Sequence, residues 1–402
     1  MPTIAPLKGL RVLDFGQVWA GPLLGVYLSD FGAEVIQVTS AARAAVQASA
    51  GSGVAETDAR IYSNLGRNRR AITLDPSTEA GKALLHRLVA VSDIVFDNFS
   101  PRAALKLGLD YSVLSEVNPR VVVCSMSAAG QRGPWSDVLT YGPSLTALYG
   151  LKSLLGYAHE TTIQEDVADL DPTAATYALI AVLAALRARE RTGRGQFIDM
   201  AQGEAGVAGL AEAVLEYGLN GRVMGPTGNR HRAMAPHGIY PTSAEDSWIS
   251  ISVDSERAWH ELCRVLACDQ ATRDPRFRTM FNRLNHQDEL DALVGERTAG
   301  HDKFELTEAL QAAGVAAFPV LDAYGLVVDE QLSYRRARYA VAVEGIEPSD
   351  ILNPTPWLMA ASPPTVYGPS RPVGADNDYV FRELLGLEDI EMSSAQKWGA
   401  FG

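Results

Sequence analysis

Short apolar runs alternate with amphipathic stretches through the first third of the chain. Residues 10–15 (LRVLDF) and 33–38 (AEVIQV) have the continuous apolar character of buried strands, and a glycine-rich turn and a helix around 21–31 separate them. The same rhythm predicts further strands at 70–75, 93–99 and 121–126, with helices at 78–91 and near 101–107. Alternation of this kind predicts a doubly wound α/β sheet with crevices at the carboxyl ends of its strands.

The pattern changes at residue 171, where one long helix is predicted to run to 191. Asp171 suits the N-cap of this helix, and Pro172 suits its first turn. The three arginines near its end favour a helix C-terminus. A strand at 196–200 and a helix at about 201–219 follow.

Residues 221–238 are rich in glycine, proline and asparagine, which predicts a linker or an active-site loop. Beyond it the pattern is typical of a smaller α+β domain. Its predicted strands are 239–243, 248–253 and 315–321, its predicted helices are 255–267, 286–298 and 302–312, and a last helix is predicted at 376–386.

Composition narrows the classes of function. The chain has 402 residues, more than a typical single core, so two domains are the default expectation. Its net charge of −13 argues against a nucleic-acid partner, because phosphate recognition needs a basic surface. The 3 cysteines fit neither a disulfide framework nor a zinc site, so no metal is expected.

The sequence also bears on location. No apolar signal stretch follows Met1, and the longest apolar run, 174–186, is too short to cross a bilayer. We therefore expect a soluble, cytoplasmic protein with no membrane partner.

Several segments together resemble the class III CoA transferases, the family of formyl-CoA transferase, carnitine CoA-transferase and the CaiB/BaiF type. They are PLKGLRVLDFGQVWAGPLLGVYLSDFGAEVIQV, RNRRAITLD, VFDNFSPRAALKLGLDY, SAAGQRGPW, DPTAATYALIAVLAALRARERTGRGQFIDMAQGEA, PHGIYPTSAEDSWISISV, DPRF and ELLGL. The resemblance follows the family's order over nearly the whole chain, which makes it more specific than any one segment.

The resemblance implies an architecture. A large Rossmann-like domain built from both termini is expected at 1–220 and 335–402, and a smaller inserted α+β domain with linkers at 221–334. The family also implies an interlocked homodimer.

By resemblance, Asp171 is the nucleophile of a CoA transferase of the EC 2.8.3 type. Its carboxylate would form an aspartyl–acyl anhydride and then an aspartyl-CoA thioester, which is covalent catalysis. A helix N-terminus would favour the ionised carboxylate. Asp169 is the main rival for this role, and Asp166 is a weaker one.

Other residues follow from the same resemblance. Tyr141 aligns, through TYGPSLTAL, with an active-site tyrosine of the formyl-CoA transferases, where racemases of the superfamily carry histidine. This favours transfer of CoA from an acyl-CoA such as succinyl-CoA to a small carboxylic acid. An acyl-CoA racemase or isomerase and a catalytically silent CoA-binding protein remain the alternatives.

The remaining candidates fall into three groups, and CoA itself is expected as a substrate thioester rather than as a permanently bound cofactor. Small residues of two turns are candidates to stabilise an oxyanion through backbone N–H groups: Ala20, Gly21, Ala129 and Gly130. Candidates for binding CoA are Arg67, Arg69, Arg70, Asn98, Arg102 and Lys106. Candidates for a lid or for contacting the acceptor acid are Trp19, Gly228, Asn229, Arg230, His231 and His237.

Overall fold

The computed structural model of the protein describes residues 5–40, 65–157, 169–335, 337, 339–340, 351–352 and 355–401. It contains two compact units. The first comprises Met1–Leu151, Glu165–Leu215 and Gln331–Gly402, and the second comprises Lys152–Gln164 and Glu216–Glu330. The expected domain boundaries at 220 and 335 lie near these limits, whereas the segment 152–164 was not expected to belong to the smaller unit. Asp166, one of the candidate nucleophiles, lies outside the described residues.

The first unit is built on a six-stranded sheet in which every adjacent pair of strands is parallel. Its strands are β1 (Arg11–Asp14), β2 (Glu34–Thr39), β3 (Arg69–Thr73), β4 (Ile94–Asp97), β5 (Val122–Ser125) and β6 (Gln196–Asp199). The strand order β3-β2-β1-β4-β5-β6 is the doubly wound order. Strand direction in such a sheet places every β-to-α connection at the carboxyl edge, so the predicted α/β class is confirmed for this unit.

Helices cover both faces of this sheet. Those of the first unit are α1 (Ala20–Asp30), α2 (Glu79–Ala90), α3 (Pro101–Lys106), α4 (Tyr111–Val117), α5 (Gly142–Leu148), α6 (Leu170–Thr192), α7 (Gln202–Ala208), α8 (Ala211–Asn220, which continues into the second unit), a 3₁₀ turn (Leu151–Ser153), a π-helix (Asp378–Leu384) and α15 (Asp389–Lys397). Two short strands near the C-terminus, β10 (Tyr339–Ala340) and β11 (Ile351–Leu352), pair with each other in antiparallel fashion.

Neighbouring residues of the buried strands point to opposite faces, and each face has its own core. Val12 packs with α1 and α6, while Leu13 packs with α2 and the C-terminal segment. The strands are therefore apolar on both sides, as expected for a parallel sheet between two helix layers.

Helix α6 begins at Leu170, one residue earlier than predicted, and this changes the role of Asp171. Asp169 occupies the N-cap position without a side-chain capping bond, so Asp171 lies inside the first turn and the N-cap prediction was wrong. Gly193, at φ 73°, ends the helix in the left-handed conformation. By length and composition α6 is the one helix in the described ranges that could cross a membrane, yet Ala174, Ala178 and Val182 along it are fully buried in the sheet core.

The second unit is a three-stranded antiparallel sheet with helices. Its elements are β7 (His237–Pro241), β8 (Trp248–Ser252), β9 (Ala316–Pro319), α9 (Glu256–Val265), a 3₁₀ turn (Asp269–Arg273), α10 (Met280–Asn285), α11 (Gln287–Thr298), α12 (Lys303–Ala312), α13 (Ala323–Val328) and α14 (Glu330–Tyr334, which ends in the first unit). Its core is formed around Trp259, Ile249 and Ile251, all at least 99% buried. An α+β unit was predicted here, and the structure has both helices and strands in this unit.

Three local predictions differ from the structure. The helix expected at 201–219 is two helices, α7 and α8, with an interruption at Gly209. The expected last helix at 376–386 is a shorter π-helix, and α15 follows it unpredicted. The Ala20-Gly21-Pro22 turn is the first turn of α1. Pro22 lies close to the helix start, where backbone N–H groups have no partner within the helix, so the N–H that proline lacks costs no helical hydrogen bond.

A buried ion pair lies between β1 and β3 underneath α1. The Asp14 carboxylate and the Arg69 guanidinium pair directly, with 0% and 2% of their side chains exposed. Arg69 also donates to the carbonyl of Leu65, and a Cβ on Gly25 of α1 would lie 2.7 Å from the Asp14 carboxylate. Burial raises the pKa of Asp14, and the nearby Arg69 opposes this rise.

Replacing Arg69 with leucine is expected to reduce the free energy of unfolding by about 3–5 kcal/mol, because it leaves the Asp14 carboxylate buried without its cation. Chemical denaturation monitored by circular dichroism measures the change. Arg187→Leu is the matched control, since the Arg187–Glu190 pair is exposed on the surface of α6 and its loss is expected to cost less than about 1 kcal/mol. Equal effects of the two substitutions would contradict the structural role of Arg69.

Candidate active site

The N-termini of α1 and α6 meet at the carboxyl edge of the parallel sheet, and Asp171 lies where they meet. Asp171 is half-buried in the first turn of α6. The backbone N–H of Ala20, the first residue of α1, lies beside its carboxylate and acts to lower its pKa. The structure thus brings the predicted nucleophile together with one of the predicted backbone donors.

Burial dominates the electrostatics of Asp171. It raises the pKa of the Asp171 carboxyl above its ordinary value of 3.8, and the Ala20 N–H only partly offsets this. The helix terminus was expected to favour the ionised form, but desolvation outweighs that effect here. Asp169, the rival, is exposed at the N-cap.

The connection from β1 to α1 is held closely around this donor. A Cβ on Gly16 would lie 2.6 Å from the Cα of Gly21, so neither position has room for a side chain. The Gly16 N–H donates to Asp14 at 2.7 Å. The Asn98 side chain accepts from the Gln17 N–H and donates to the Gln17 carbonyl, both at 2.8 Å. Gly21 therefore serves close backbone packing in addition to any role as a donor.

The loop with Ala129 and Gly130 reaches the same edge through α7. The N–H groups of Gln202 and Gly203 donate to the carbonyls of Ser127 and Ala128, each at 3.0 Å. Further along α7, Gly206 lies against the side chain of Leu170, directly before Asp171, and leaves no space for a Cβ.

Gly130 has a φ of 84°, which favours glycine, and the next N–H, of Gln131, donates to Asp199 at 2.8 Å. These contacts bring Ala129 and Gly130 to the carboxyl edge of the sheet, where Asp171 lies. Their donation to a substrate stays a prediction.

Tyr141 and Trp19 are both exposed within the chain. Tyr141 precedes α5 with 75% of its surface exposed, and Trp19 precedes α1 with 37% exposed. An active-site role for each stays a prediction.

The structure divides the predicted CoA-binding cations between opposite edges of the sheet. Arg67, Arg69 and Arg70 lie at or just before the start of β3, at the amino edge, whereas Arg102 and Lys106 lie in α3, which follows the carboxyl end of β4. The cations at the carboxyl edge share that edge with Asp171.

The three arginines at the amino edge are engaged in contacts with the protein. Arg67 pairs with buried Asp30 at 2.7 Å, and Arg69 pairs with Asp14. Arg70 pairs with Glu34 at 3.1 Å and lies over the ring of Tyr379. A pocket of about 600 Å³ opens beside them, lined in part by Asn68, Arg70, Tyr367 and Arg371.

One buried acid at the carboxyl edge was missed by sequence reasoning. Asp97, at the end of β4, accepts from the Ser125 hydroxyl at 2.7 Å and from the Phe99 N–H at 2.9 Å. Burial raises its pKa to about 6. The only signal in the sequence was the place of Asp97 directly before Asn98 in the motif DNF. Polar residues are common at strand ends, so this signal did not distinguish Asp97.

Three of the lid and acceptor candidates of the second unit line a pocket of about 450 Å³. Asn229, Arg230 and His237 line it. The Asn229 carbonyl lies 2.6 Å from His237 Nδ1, and Arg230 pairs with Asp288 and Asp291. Gly228, at φ 59°, packs on Tyr157, and His231 stacks near His237.

Within the described ranges, no group of three or more histidine, cysteine, aspartate or glutamate side chains is arranged to hold a metal ion.

Comparison with known proteins agrees with this geometry. Residues 7–377 match the family described as CoA-transferase family III. The chain is 31% identical to a succinyl-CoA–D-citramalate CoA-transferase of Chloroflexus aurantiacus, covering 97% of both chains. It is 30% identical to a succinate–glutarate CoA-transferase of Agrobacterium fabrum, covering 95% of this chain and 96% of the relative.

The fold agrees as well. A crystal structure of a CAIB/BAIF family protein from Brucella suis superposes with a TM-score of 0.83 at 28% identity, covering 95% of this chain and 100% of that one. The match extends over nearly the whole sequence, and the fold matches with it. The chain belongs to CoA-transferase family III and is a CoA transferase.

Proposed function

We propose that the protein transfers CoA from succinyl-CoA to a carboxylic acid, with Asp171 as the covalent nucleophile. The observation that carries this proposal is the half-buried Asp171 carboxylate at the carboxyl edge, with the Ala20 N–H beside it. Succinyl-CoA as donor is supported by its presence in the names of relatives such as the citramalate and malate CoA-transferases of Chloroflexus aurantiacus.

The first half-reaction transfers CoA to the enzyme. An Asp171 oxygen attacks the thioester carbonyl, the carbon–sulfur bond breaks, and CoA thiolate leaves a mixed anhydride. The thiolate then attacks the Asp171 carbonyl carbon, which releases succinate and leaves an aspartyl-CoA thioester. Each step exchanges one activated acyl group for another, so covalent catalysis divides a difficult exchange into easier ones.

The second half-reaction reverses the order with the acceptor. The acceptor carboxylate attacks the aspartyl thioester, displaces the thiolate and forms a second anhydride. The thiolate attacks the acceptor carbonyl, which gives the new acyl-CoA and restores the Asp171 carboxylate. Atoms and charge balance without a further reactant.

The Ala20 N–H is suited to assist these steps. Attack on the Asp171 carbonyl places negative charge on the oxygen of the former carboxylate, and a fixed N–H donor at that oxygen stabilises it. Ala20 is fully buried, so water does not compete for this donor. Gly21, Ala129 and Gly130 are further donors under this proposal.

CoA is proposed to lie along the carboxyl edge, with Arg102 and Lys106 of α3 near its phosphates. Asn229, Arg230 and His237 of the second unit are proposed to contact the acceptor acid or to form part of a lid, together with Gly228, His231 and Trp19. No cofactor beyond the substrate thioester is proposed.

A racemase or isomerase of the same superfamily is the second candidate. It would need a base in the position of Tyr141, where the resemblance gives the racemases of the superfamily a histidine. No observation favours this reaction over transfer, and a catalytically silent protein does not account for the Asp171 carboxylate.

We also propose a homodimer. Tyr177, Ile180 and Leu183 of α6 leave an apolar face of a long helix 41–61% exposed in the single chain. Large exposed apolar patches mark interaction surfaces, and the family resemblance names a second copy of this chain as the occupant.

Replacing Asp171 with alanine is expected to lower kcat by roughly three orders of magnitude or more, because the nucleophile is lost. The assay is CoA transfer from succinyl-CoA to a panel of carboxylic acids, followed by chromatography of the acyl-CoA products. Hydroxylamine trapping and peptide mass spectrometry are expected to locate the adduct on Asp171. Asp169→Ala is the matched control and is expected to retain activity and the adduct.

An adduct that moves to Asp169, or full activity of Asp171→Ala, would overturn the assignment. Exchange of the α-hydrogen of the acyl group with deuterium oxide in the absence of any adduct would instead support the racemase.

The value of kcat/KM is expected to fall at acidic pH, with the midpoint of the fall above pH 3.8, the ordinary aspartate pKa. Only the ionised carboxylate attacks the thioester, so activity is lost as pH falls through the raised pKa of Asp171. Initial rates measured across the acidic range test this, with circular dichroism at each pH to verify folding. A midpoint at or below pH 3.8 would contradict the effect of burial.

Replacing Ile180 with glutamate is expected to prevent assembly of the dimer, since it introduces a charge into an apolar interface. Sedimentation equilibrium is expected to give twice the chain mass of 43.2 kDa for the wild type and the single-chain mass for the variant. Val113→Glu, at a position 40% exposed on α4, is the matched control and is expected to stay dimeric. A monomeric wild type would refute the proposed dimer.

A further inference from the structure

The connection between β1 and α1 carries a strained residue. Val18 has a φ of 62°, in the left-handed region. A β-branched residue rarely adopts this conformation because its Cβ crowds the backbone. Val18 is 47% exposed, so packing around its side chain does not account for the conformation. Contacts of the neighbouring residues must impose it.

Asn98 supplies such contacts. Its side-chain oxygen accepts from the Gln17 N–H and its amide nitrogen donates to the Gln17 carbonyl, each at 2.8 Å. The two bonds fix both polar groups of the residue directly before Val18. A carboxamide can donate and accept at once, which makes asparagine suited to hold one backbone residue from both sides.

The other end of the connection is fixed by packing. The close approach of Gly16 and Gly21 leaves no room for a Cβ on either, and the Gly16 N–H is held by Asp14 at 2.7 Å. Val18 lies between these two fixed points. The chain is therefore constrained on both sides of the strained residue, two positions before the Ala20 N–H.

We propose that Asn98 is a positioning residue that holds Gln17, keeps Val18 in its left-handed conformation and so directs the Ala20 N–H at the Asp171 carboxylate. This assignment rests on the proposed function, and it gives the Asn98 side chain a role other than contact with CoA. Strained backbone near a reacting group persists only where the surrounding structure imposes it. Without the two bonds to Gln17, residue 18 relaxes to negative φ and the Ala20 donor moves off the carboxylate.

Asn98→Ala is expected to lower kcat by roughly 100-fold, the effect of a misplacement of about 1 Å at a reacting group. KM for succinyl-CoA is expected to change less than threefold, since CoA contacts are not removed. Asn118→Ala is the matched control. Asn118 also binds backbone in both directions, donating to the Ser92 carbonyl at 2.8 Å and accepting from the Arg120 N–H at 3.0 Å. It precedes β5 at the opposite, amino edge, so its loss is expected to leave kcat unchanged.

The double variant Asn98→Ala, Val18→Gly separates positioning from substrate contact. Glycine adopts positive φ without penalty, so the connection keeps its shape more easily when the bonds to Gln17 are absent. We expect the double variant to recover kcat by roughly tenfold over Asn98→Ala. The single variant Val18→Gly is measured as well, so that its effect on kcat can be compared with and without the Asn98 side chain.

Two results would overturn the proposal. One is a rise in KM for succinyl-CoA with unchanged kcat in Asn98→Ala, which would place the side chain on CoA. The other is a loss of kcat that Val18→Gly does not reverse, or that Asn118→Ala reproduces. With either result, the wild type would still form the adduct on Asp171. Failure of the proposed function itself would appear differently, as a wild type without that adduct.

Discussion

The approach of the Ala20 N–H to the Asp171 carboxylate brings together the starts of two helices that are far apart in the sequence. It requires the parallel strand order, because only strands that run in the same direction deliver the N-termini of α1 and α6 to one edge. It also requires both helices to pack on the same face of the sheet, which the apolar core of Val12, Leu24 and Ala178 provides. The sheet therefore acts as a support that sets the distance between the proposed nucleophile and the Ala20 N–H.

Buried ion pairs are a second feature on which this fold depends. Arg67 and Arg69 pair with Asp30 and Asp14 in the interior, where removal of either partner would leave an uncompensated charge. Both arginines stand in a sequence segment that resembles a family motif. The structure engages both of them in fixing β3 beside α1, while the arginine and lysine of α3 lie at the edge that Asp171 occupies.

Local sequence patterns predicted the strands well because buried parallel strands are uninterrupted apolar runs, as in Val122 and Val123 of β5. The nucleophile came from resemblance, since an aspartate before a proline at a helix start has no local mark of reactivity. The ion pairs could not be predicted, because Asp30 and Arg67 are 37 residues apart and Asp14 and Arg69 are 55 apart. Likewise nothing in the letters around Asn98 indicates Gln17 as its partner, 81 residues away.

A neutral donor beside the proposed nucleophile has a chemical rationale. Within the part of the chain that the structure describes, the groups that act on the Asp171 pKa are its burial and the Ala20 N–H, and no cation is among them. A lysine or arginine here would stabilise the free carboxylate strongly and make it a poorer nucleophile. Under the proposed mechanism, a backbone N–H would bind the carboxylate, the anhydride and the thioester oxygen in turn, at a fixed position and without a change of charge. Because the donor is backbone, its direction depends on the path of the chain from Gly16 to Gly21. Under the proposed mechanism, the residues that fix this path therefore matter to the reaction although they do not touch the reacting atoms.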